Sequence, residues 1–166
     1  MAENSGIRVL LIDDEQTLLE YLAKRLLREG FTVKVTFSGE EALKEAAEDD
    51  YDVAVVDLKM PGMDGNETQS RLKEIQPYLQ CIVLTGHGFG DPALESGHEN
   101  AYDYMLKPVE FESLMQAIRD AYQYKMKLMR KEPKAEEENP PSSDAGPSGF
   151  KKVVRKIRNL YGVKND

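Results

Sequence analysis

The sequence predicts an α/β domain built on a doubly wound, five-stranded parallel sheet with helices on both faces. Short apolar runs alternate along the chain with longer segments whose apolar residues recur at helical spacing. The third run, VAVV at 53–56, lacks polar alternation, which is typical of a central strand covered on both faces. A chain of 166 residues is long enough for one such domain with a full core.

The first half of the chain supplies two strands and two helices. The first strand is predicted at 7–12, and the helix after it carries leucines at helical spacing before Gly30 ends it. Apolar and polar residues then alternate over 31–35, which indicates a half-buried strand. Ser38 and Glu41 have the spacing of a capping box that opens the second helix.

The second half supplies the remaining strands, at 53–56, 81–84 and 101–106. A third helix follows the glycine-rich loop after residue 60, and we expect its Leu72 and Ile75 to point inward. The final helix is predicted to begin near residue 110 and to pack through a stripe formed by Leu114, Ile118 and Tyr122.

The connection between the fourth and fifth strands is a weak helix candidate. Residues 86–100 contain four glycines and one proline, and Leu94 is their only aliphatic side chain larger than alanine. Each interior glycine costs a helix about 1 kcal/mol relative to alanine, and no apolar stripe offsets that cost. We therefore predict that the fourth helix is short, frayed or mobile.

Polar residues of a particular kind stand where four of these strands end. They are Asp13 and Asp14, then Asp57, Thr85 and Lys107. The carboxyl ends of parallel strands meet at one edge of an α/β sheet, where ligands bind. Three acids beside one lysine and one hydroxyl suit a hard divalent cation and a phosphoryl group.

Four segments containing these residues carry a family resemblance. They read VLLIDDE at 9–15, VVDLKMPGMDG at 55–65, IVLTG at 82–86 and AYDYMLKP at 101–108. In this order, each at a strand end, they make the chain similar to the receiver domain of bacterial two-component response regulators. The resemblance runs from about residue 7 to about residue 121. It implies a flavodoxin-like sheet with strand order 2-1-3-4-5.

The resemblance implies a phosphorylation-activated switch rather than an enzyme acting on other molecules. Asp57 would accept a phosphoryl group from a sensor histidine kinase or phosphotransfer protein, and self-phosphorylation and autodephosphorylation would be its only chemistry. Asp13, Asp14 and Asp57 would hold Mg²⁺ or Mn²⁺, which oxygen ligands favour. Similar proteins add a backbone carbonyl, here that of Lys59.

The same resemblance assigns roles to the residues after the fourth and fifth strands. Lys107 would bind the phosphoryl oxygens, and the bond from Lys107 to Pro108 is a candidate cis peptide. Thr85 would move toward the phosphoryl group, and Tyr104 would move into the space that Thr85 leaves. These two residues would form the switch that alters partner binding.

The composition changes after residue 131, which predicts three regions. Residues 1–131 form the receiver domain, and 132–149, which lack large apolar residues, form a disordered linker. Residues 150–166 form a short basic amphipathic tail helix, with apolar residues at 150, 153, 154, 157, 160 and 161. Such a helix could dock on this domain, on an acidic partner or on anionic lipid, or have no role.

Charge and composition exclude several classes of function. The net charge is −8, and residues 1–132 carry 15 basic and 25 acidic residues, which argues against nucleic-acid binding by the body. One cysteine excludes a disulfide framework. The start of the chain lacks a basic and apolar leader, and no apolar run is long enough to span a bilayer, so we expect a cytoplasmic protein. The sequence does not identify the downstream target, and it leaves open whether the protein forms a homodimer.

Three other readings fit parts of the pattern. An aspartyl-phosphate hydrolase would normally carry a second acid two residues after the nucleophile, where this chain has Lys59. A flavin-binding domain would need a phosphate loop after the first strand, where Asp13 and Asp14 would repel a phosphate. A receiver-like module regulated by binding alone would not need the complete set of acids.

Overall fold

Five parallel strands form one sheet in the order β2-β1-β3-β4-β5. The computed structural model describes residues 5–86 and 101–131. The strands are β1 (Arg8–Ile12), β2 (Thr32–Thr36), β3 (Val53–Asp57), β4 (Gln80–Thr85) and β5 (Asp103–Leu106). The described helices are α1 (Gln16–Arg28), α2 (Gly39–Glu48), α3 (Gly65–Ile75) and α4 (Phe111–Lys131). The predicted fold class and strand order are confirmed.

Helices cover both faces of the sheet, and each face has its own hydrophobic core. One core joins the sheet to α1 and α4 through buried residues such as Leu22 and Ile118. The other joins it to α2 and α3 through residues such as Ala42 and Leu72. Every residue of β3 is buried, whereas the edge strand β2 alternates between exposed and half-buried positions up to its buried last residue, Thr36. The central position predicted for the VAVV run is therefore confirmed.

Local sequence signals set the ends of the first two helices. Gly30 has a φ of 95° after α1, and Phe31 N–H donates to the Leu26 carbonyl at 3.1 Å, so the helix ends in a Schellman turn. Ser38 Oγ accepts from Glu41 N–H at 3.1 Å. The Glu41 carboxylate accepts from Phe37 N–H at 3.2 Å rather than from Ser38. One hydrogen bond of the predicted capping box, from Glu41 N–H to Ser38, is therefore present. The Glu41 carboxylate binds the backbone N–H of the residue before Ser38 instead of that of Ser38.

Some predicted details are wrong or lie outside the described residues. Ile75 was predicted to point inward, but it is 41% exposed because it is the last residue of α3 and the buried part of this helix ends at Leu72. The fifth strand begins at Asp103, two residues later than predicted. Residues 87–100 of the predicted fourth helix, the linker 132–149 and the tail 150–166 lie outside the described residues. Among the described helices, none is both long and apolar enough to cross a membrane.

Candidate functional site

The predicted site residues meet at the carboxyl edge of the sheet. Ile12 pairs with Val56, so Asp13, which follows β1, lies level with Asp57 at the end of β3. Thr85 ends β4 and pairs with Leu106, which directly precedes Lys107. The parallel register therefore brings together residues that are separated by up to 94 positions in the sequence.

Three carboxylates form a cluster at this edge. Asp13, Asp14 and Asp57 each offer an oxygen, and these oxygens all lie within 4.8 Å of one another. Asp13 and Asp57 are buried, whereas Asp14 is exposed. Like charges this close repel strongly in a partly buried site. The cluster is therefore suited to a divalent cation with oxygen ligands.

Lys107 supplies a positive charge to the two buried carboxylates. Its Nζ donates to Asp13 Oδ2 at 2.9 Å and lies 3.0 Å from Asp57 Oδ1. Burial alone would lower the pKa of this ammonium group, but the hydrogen bonds to Asp13 and Asp57 and the negative charges of these two residues together outweigh burial and raise it. The peptide bond to Pro108 is cis, as predicted, and Lys107 N–H donates to the Thr85 carbonyl at 2.8 Å.

Asp57 is held in an environment that disfavours its charge. Burial, together with the charges of Asp13 and Asp14, raises the pKa of this carboxyl from 3.8 to about 6, against the opposing contact with Lys107. One lysine therefore does not fully balance three acids. A cation among the carboxylates would favour the ionised form of Asp57.

Gly65 contributes to the site in a way that the sequence did not predict. A side-chain Cβ there would collide with the backbone carbonyl of Asp57 and with Leu58, and Gly65 N–H donates to the Leu58 carbonyl at 2.9 Å. The preceding Asp64 caps α3, accepting from Glu67 N–H at 2.9 Å. In the sequence, the Asp64-Gly65 pair is a turn signal within a glycine-rich loop, and it gives no indication of a contact with Asp57.

The position of Asp13 depends on two neighbours. Its Oδ1 accepts from Glu15 N–H at 2.9 Å, which orients the carboxylate. Its own N–H donates to the Thr36 carbonyl at 3.3 Å, and Thr36 Oγ1 donates to the Leu11 carbonyl at 3.0 Å. Thr36 was also missed, since a threonine ending an edge strand carries no distinct sequence signal.

Thr85 and Tyr104 lie on the adjacent strands β4 and β5. Tyr104 pairs with Val83, two residues before Thr85, so the side chains of Thr85 and Tyr104 share one face of the sheet. Both side chains are buried, and burial raises the pKa of the Tyr104 phenol. The Tyr104 hydroxyl has no hydrogen-bond partner among the described residues. Lys59, two residues after Asp57, is exposed.

Comparison with known proteins agrees with this fold. The profile of the response regulator receiver domain matches residues 9–119, and the chain belongs to this family. It is 35% identical over 113 residues to the transcriptional regulatory protein GlrR of Escherichia coli K12. That match covers 68% of this chain but 26% of GlrR, so the chain spans about a quarter of that relative.

Solved structures of response regulators have the same fold. A response regulator receiver domain from Clostridium thermocellum superposes with a TM-score of 0.68 at 36% identity, covering 74% of this chain and 99% of that one. The response regulator TrrA of Thermotoga maritima, solved in complex with Mg²⁺ and BeF, has a TM-score of 0.61 at 28% identity. The match covers 69% of this chain and 98% of the TrrA chain.

Proposed function

We propose that this protein is a phosphorylation-activated switch of a two-component system and that Asp57 is its phosphoacceptor. The observation that carries the proposal is the meeting of three carboxylates within 4.8 Å, with Lys107 Nζ 3.0 Å from Asp57. Phosphoryl transfer depends on positioning and charge neutralisation more than on covalent assistance from the protein. A site of this composition provides both.

The chemistry is a transfer between two side chains. A carboxylate oxygen of Asp57 attacks the phosphorus of a phosphohistidine on a sensor kinase or phosphotransfer protein. The phosphorus–nitrogen bond breaks, its electron pair stays on the imidazole nitrogen, and Asp57 becomes an acyl phosphate. The Lys107 ammonium group lies beside the attacking carboxylate and provides positive charge for the transferred oxygens. Water later attacks the phosphorus of the acyl phosphate, which releases inorganic phosphate and regenerates the Asp57 carboxylate.

The donor set fits Mg²⁺ or Mn²⁺. Asp13, Asp14 and Asp57 would hold the ion, together with the backbone carbonyl of Lys59, and carboxylate and carbonyl oxygens are the ligands that these hard cations prefer. When bound, the ion supplies positive charge that offsets the repulsion among the acids and the phosphoryl group. Magnesium and BeF in the solved TrrA structure support this assignment.

Thr85 and Tyr104 would convert the local charge change into a change of shape. A phosphoryl group on Asp57 offers acceptor oxygens near the end of β4, where the Thr85 hydroxyl can donate to one. The adjacent Tyr104 ring is buried on the same face, so its packing responds to a movement of Thr85. The altered surface would then bind a downstream protein.

Labelling with a small phosphodonor tests the proposal. Incubation of the full chain with phosphoramidate and Mg²⁺ should add one phosphoryl group, measured by intact mass, and chelation of the metal should abolish the addition. Asp57→Asn should not be labelled. Asp64→Asn is the matched control, because Asp64 is an exposed acid of the same loop whose role is to cap α3. Equal labelling of Asp57→Asn and the parent would refute the assignment.

A further inference from the structure

A concave feature lies near the amino ends of β3 and β4, at the opposite end of the strands from Asp57. It is a cleft of about 300 Å³, near the lower end of the range found for binding clefts. The connection from α3 to β4 forms one wall and the last turns of α4 form the other. The lining residues are Asp50, Ile75, Gln76, Pro77, Tyr78, Leu79, Lys125 and Met129.

Hydrogen bonds hold both walls of this cleft in a fixed shape. Gln76 Nε2 donates to the carbonyls of Ala46 at 2.8 Å and Asp49 at 2.7 Å, and Gln76 Oε1 accepts from Tyr51 N–H at 3.0 Å. On the other wall, Lys125 Nζ donates to Asp52 Oδ1 at 2.8 Å. An occupant would therefore meet a formed surface and need not order it.

The rim of the cleft exposes apolar side chains. Ile75 is 41% exposed and Met129 is 46% exposed, and they belong to the few large hydrophobic side chains that the described part of the chain leaves at the surface. Both line the same cleft, although they are 54 positions apart in the sequence. Covering them would be favourable by roughly 25 cal/mol per Å² of apolar surface removed from water.

We propose that the cleft is the docking site for residues 150–161 of the same chain. This segment carries six apolar residues at helical spacing, at positions 150, 153, 154, 157, 160 and 161. Residues 150–166 contain six basic residues and one acidic residue, a net charge of +5. Asp50 lines one wall of the cleft and Lys125 the other, and Asp49 is paired with Arg8, so charge does not by itself direct the tail to this place. Apolar contact with Ile75 and Met129 is what favours this occupant.

The connection has a suitable length. α4 ends at Lys131, two residues after Met129, so the chain leaves the domain beside the cleft. The intervening 18 residues, 132–149, lack large apolar side chains, a composition that predicts a flexible linker. A flexible chain of that length spans roughly 5–6 Å multiplied by the square root of its length, or about 23 Å. Such a tether keeps the effective concentration of the tail near millimolar, so weak contacts suffice for docking.

Paramagnetic relaxation on the full chain tests this docking. A nitroxide attached to Ser148→Cys would sit two residues before Phe150, and the native Cys81 is fully buried and would not react. We expect amides of 75–79 and 125–129 to lose most of their intensity. A free tether also brings the label near Lys131, so the informative quantity is the change produced by tail variants.

Two matched pairs of variants separate docking from tethering. Ile157→Asp breaks the apolar stripe and should restore the intensities, whereas Asn159→Asp adds the same charge off the stripe and should leave them reduced. On the domain, Ile75→Lys should release the tail, whereas Leu27→Lys, an exposed leucine of α1 outside the cleft, should not. Equal intensities in the two tail variants, or broadening centred on another surface, would overturn the proposal. None of these readouts depends on Asp57.

Discussion

Replacing Asp57 by asparagine should make the protein more stable at neutral pH, because the fold holds this carboxylate at a cost. Burial and the charges of Asp13 and Asp14 raise the pKa of Asp57 from 3.8 to about 6, despite its contact with Lys107. Asparagine removes the charge and keeps the shape. Its carbonyl oxygen still accepts from Lys107, and its amide can donate to the neighbouring carboxylates.

The size of the effect follows from linkage. One pKa unit corresponds to about 1.4 kcal/mol, so ionising Asp57 costs the folded state up to about 3 kcal/mol at neutral pH. The folded state holds the proton more tightly than the unfolded chain does. The parent is therefore penalised least below the ordinary pKa of 3.8, and the penalty grows as the pH rises through about 6.

Urea unfolding without divalent metal, at about pH 4 and about pH 7.5, measures this difference. The free energy of unfolding of Asp57→Asn should exceed that of the parent only slightly at the lower pH. At the higher pH the difference should reach about 1–3 kcal/mol, the size derived above. Mg²⁺ should narrow it by stabilising the parent.

Asp52→Asn is the matched control for this experiment. The Asp52 carboxylate accepts from Arg8 N–H and from Lys125 Nζ, both at 2.8 Å. An amide would point a donor at one of these donors, so this variant should be less stable than the parent. Asp57→Asn that is no more stable than the parent at pH 7.5 would show that the cost assigned to this carboxylate is wrong.

Two further variants test the geometry of the site and its metal. Gly65→Ala should lose about 1–3 kcal/mol of stability, because its Cβ would collide with the Asp57 carbonyl. Gly86→Ala should change little, since an added Cβ there meets no atom of the described chain within 4 Å; equal losses in the two would contradict the steric argument. Asp14→Ala should weaken Mg²⁺ binding in a calorimetric titration by about tenfold or more, the size of effect that even outer-shell partners have. Unchanged affinity would remove Asp14 from the metal site.

Much of the fold was accessible from the sequence because its signals are local. The apolar runs placed all five strands, and Gly30 and Ser38 marked helix ends that the structure shows. The convergence of the acids followed from a general property of parallel sheets. Strand order was not local information and came with the resemblance to receiver domains.

The errors arose where packing between distant elements decides the outcome. Ile75 continues the apolar stripe of α3 but is the last residue of the helix, past the buried Leu72, and it lines a cleft with Met129. Gly65 was read as a turn residue because its contact with Asp57 depends on how the loop folds back over β3. The raised pKa of Asp57 depends first on its burial and then on the arrangement of its charged neighbours. None of these features is encoded within a short window of sequence.

Locating the modified side chain is the most direct test of the central claim. The protein would be treated with phosphoramidate and Mg²⁺ and then reduced with borohydride, which converts an aspartyl phosphate to homoserine. Tandem mass spectrometry of the digested protein should place homoserine at position 57 and retain aspartate at positions 13, 14 and 64. Homoserine at another position, or unmodified aspartate at 57 in protein that carries the phosphoryl group, would contradict the account.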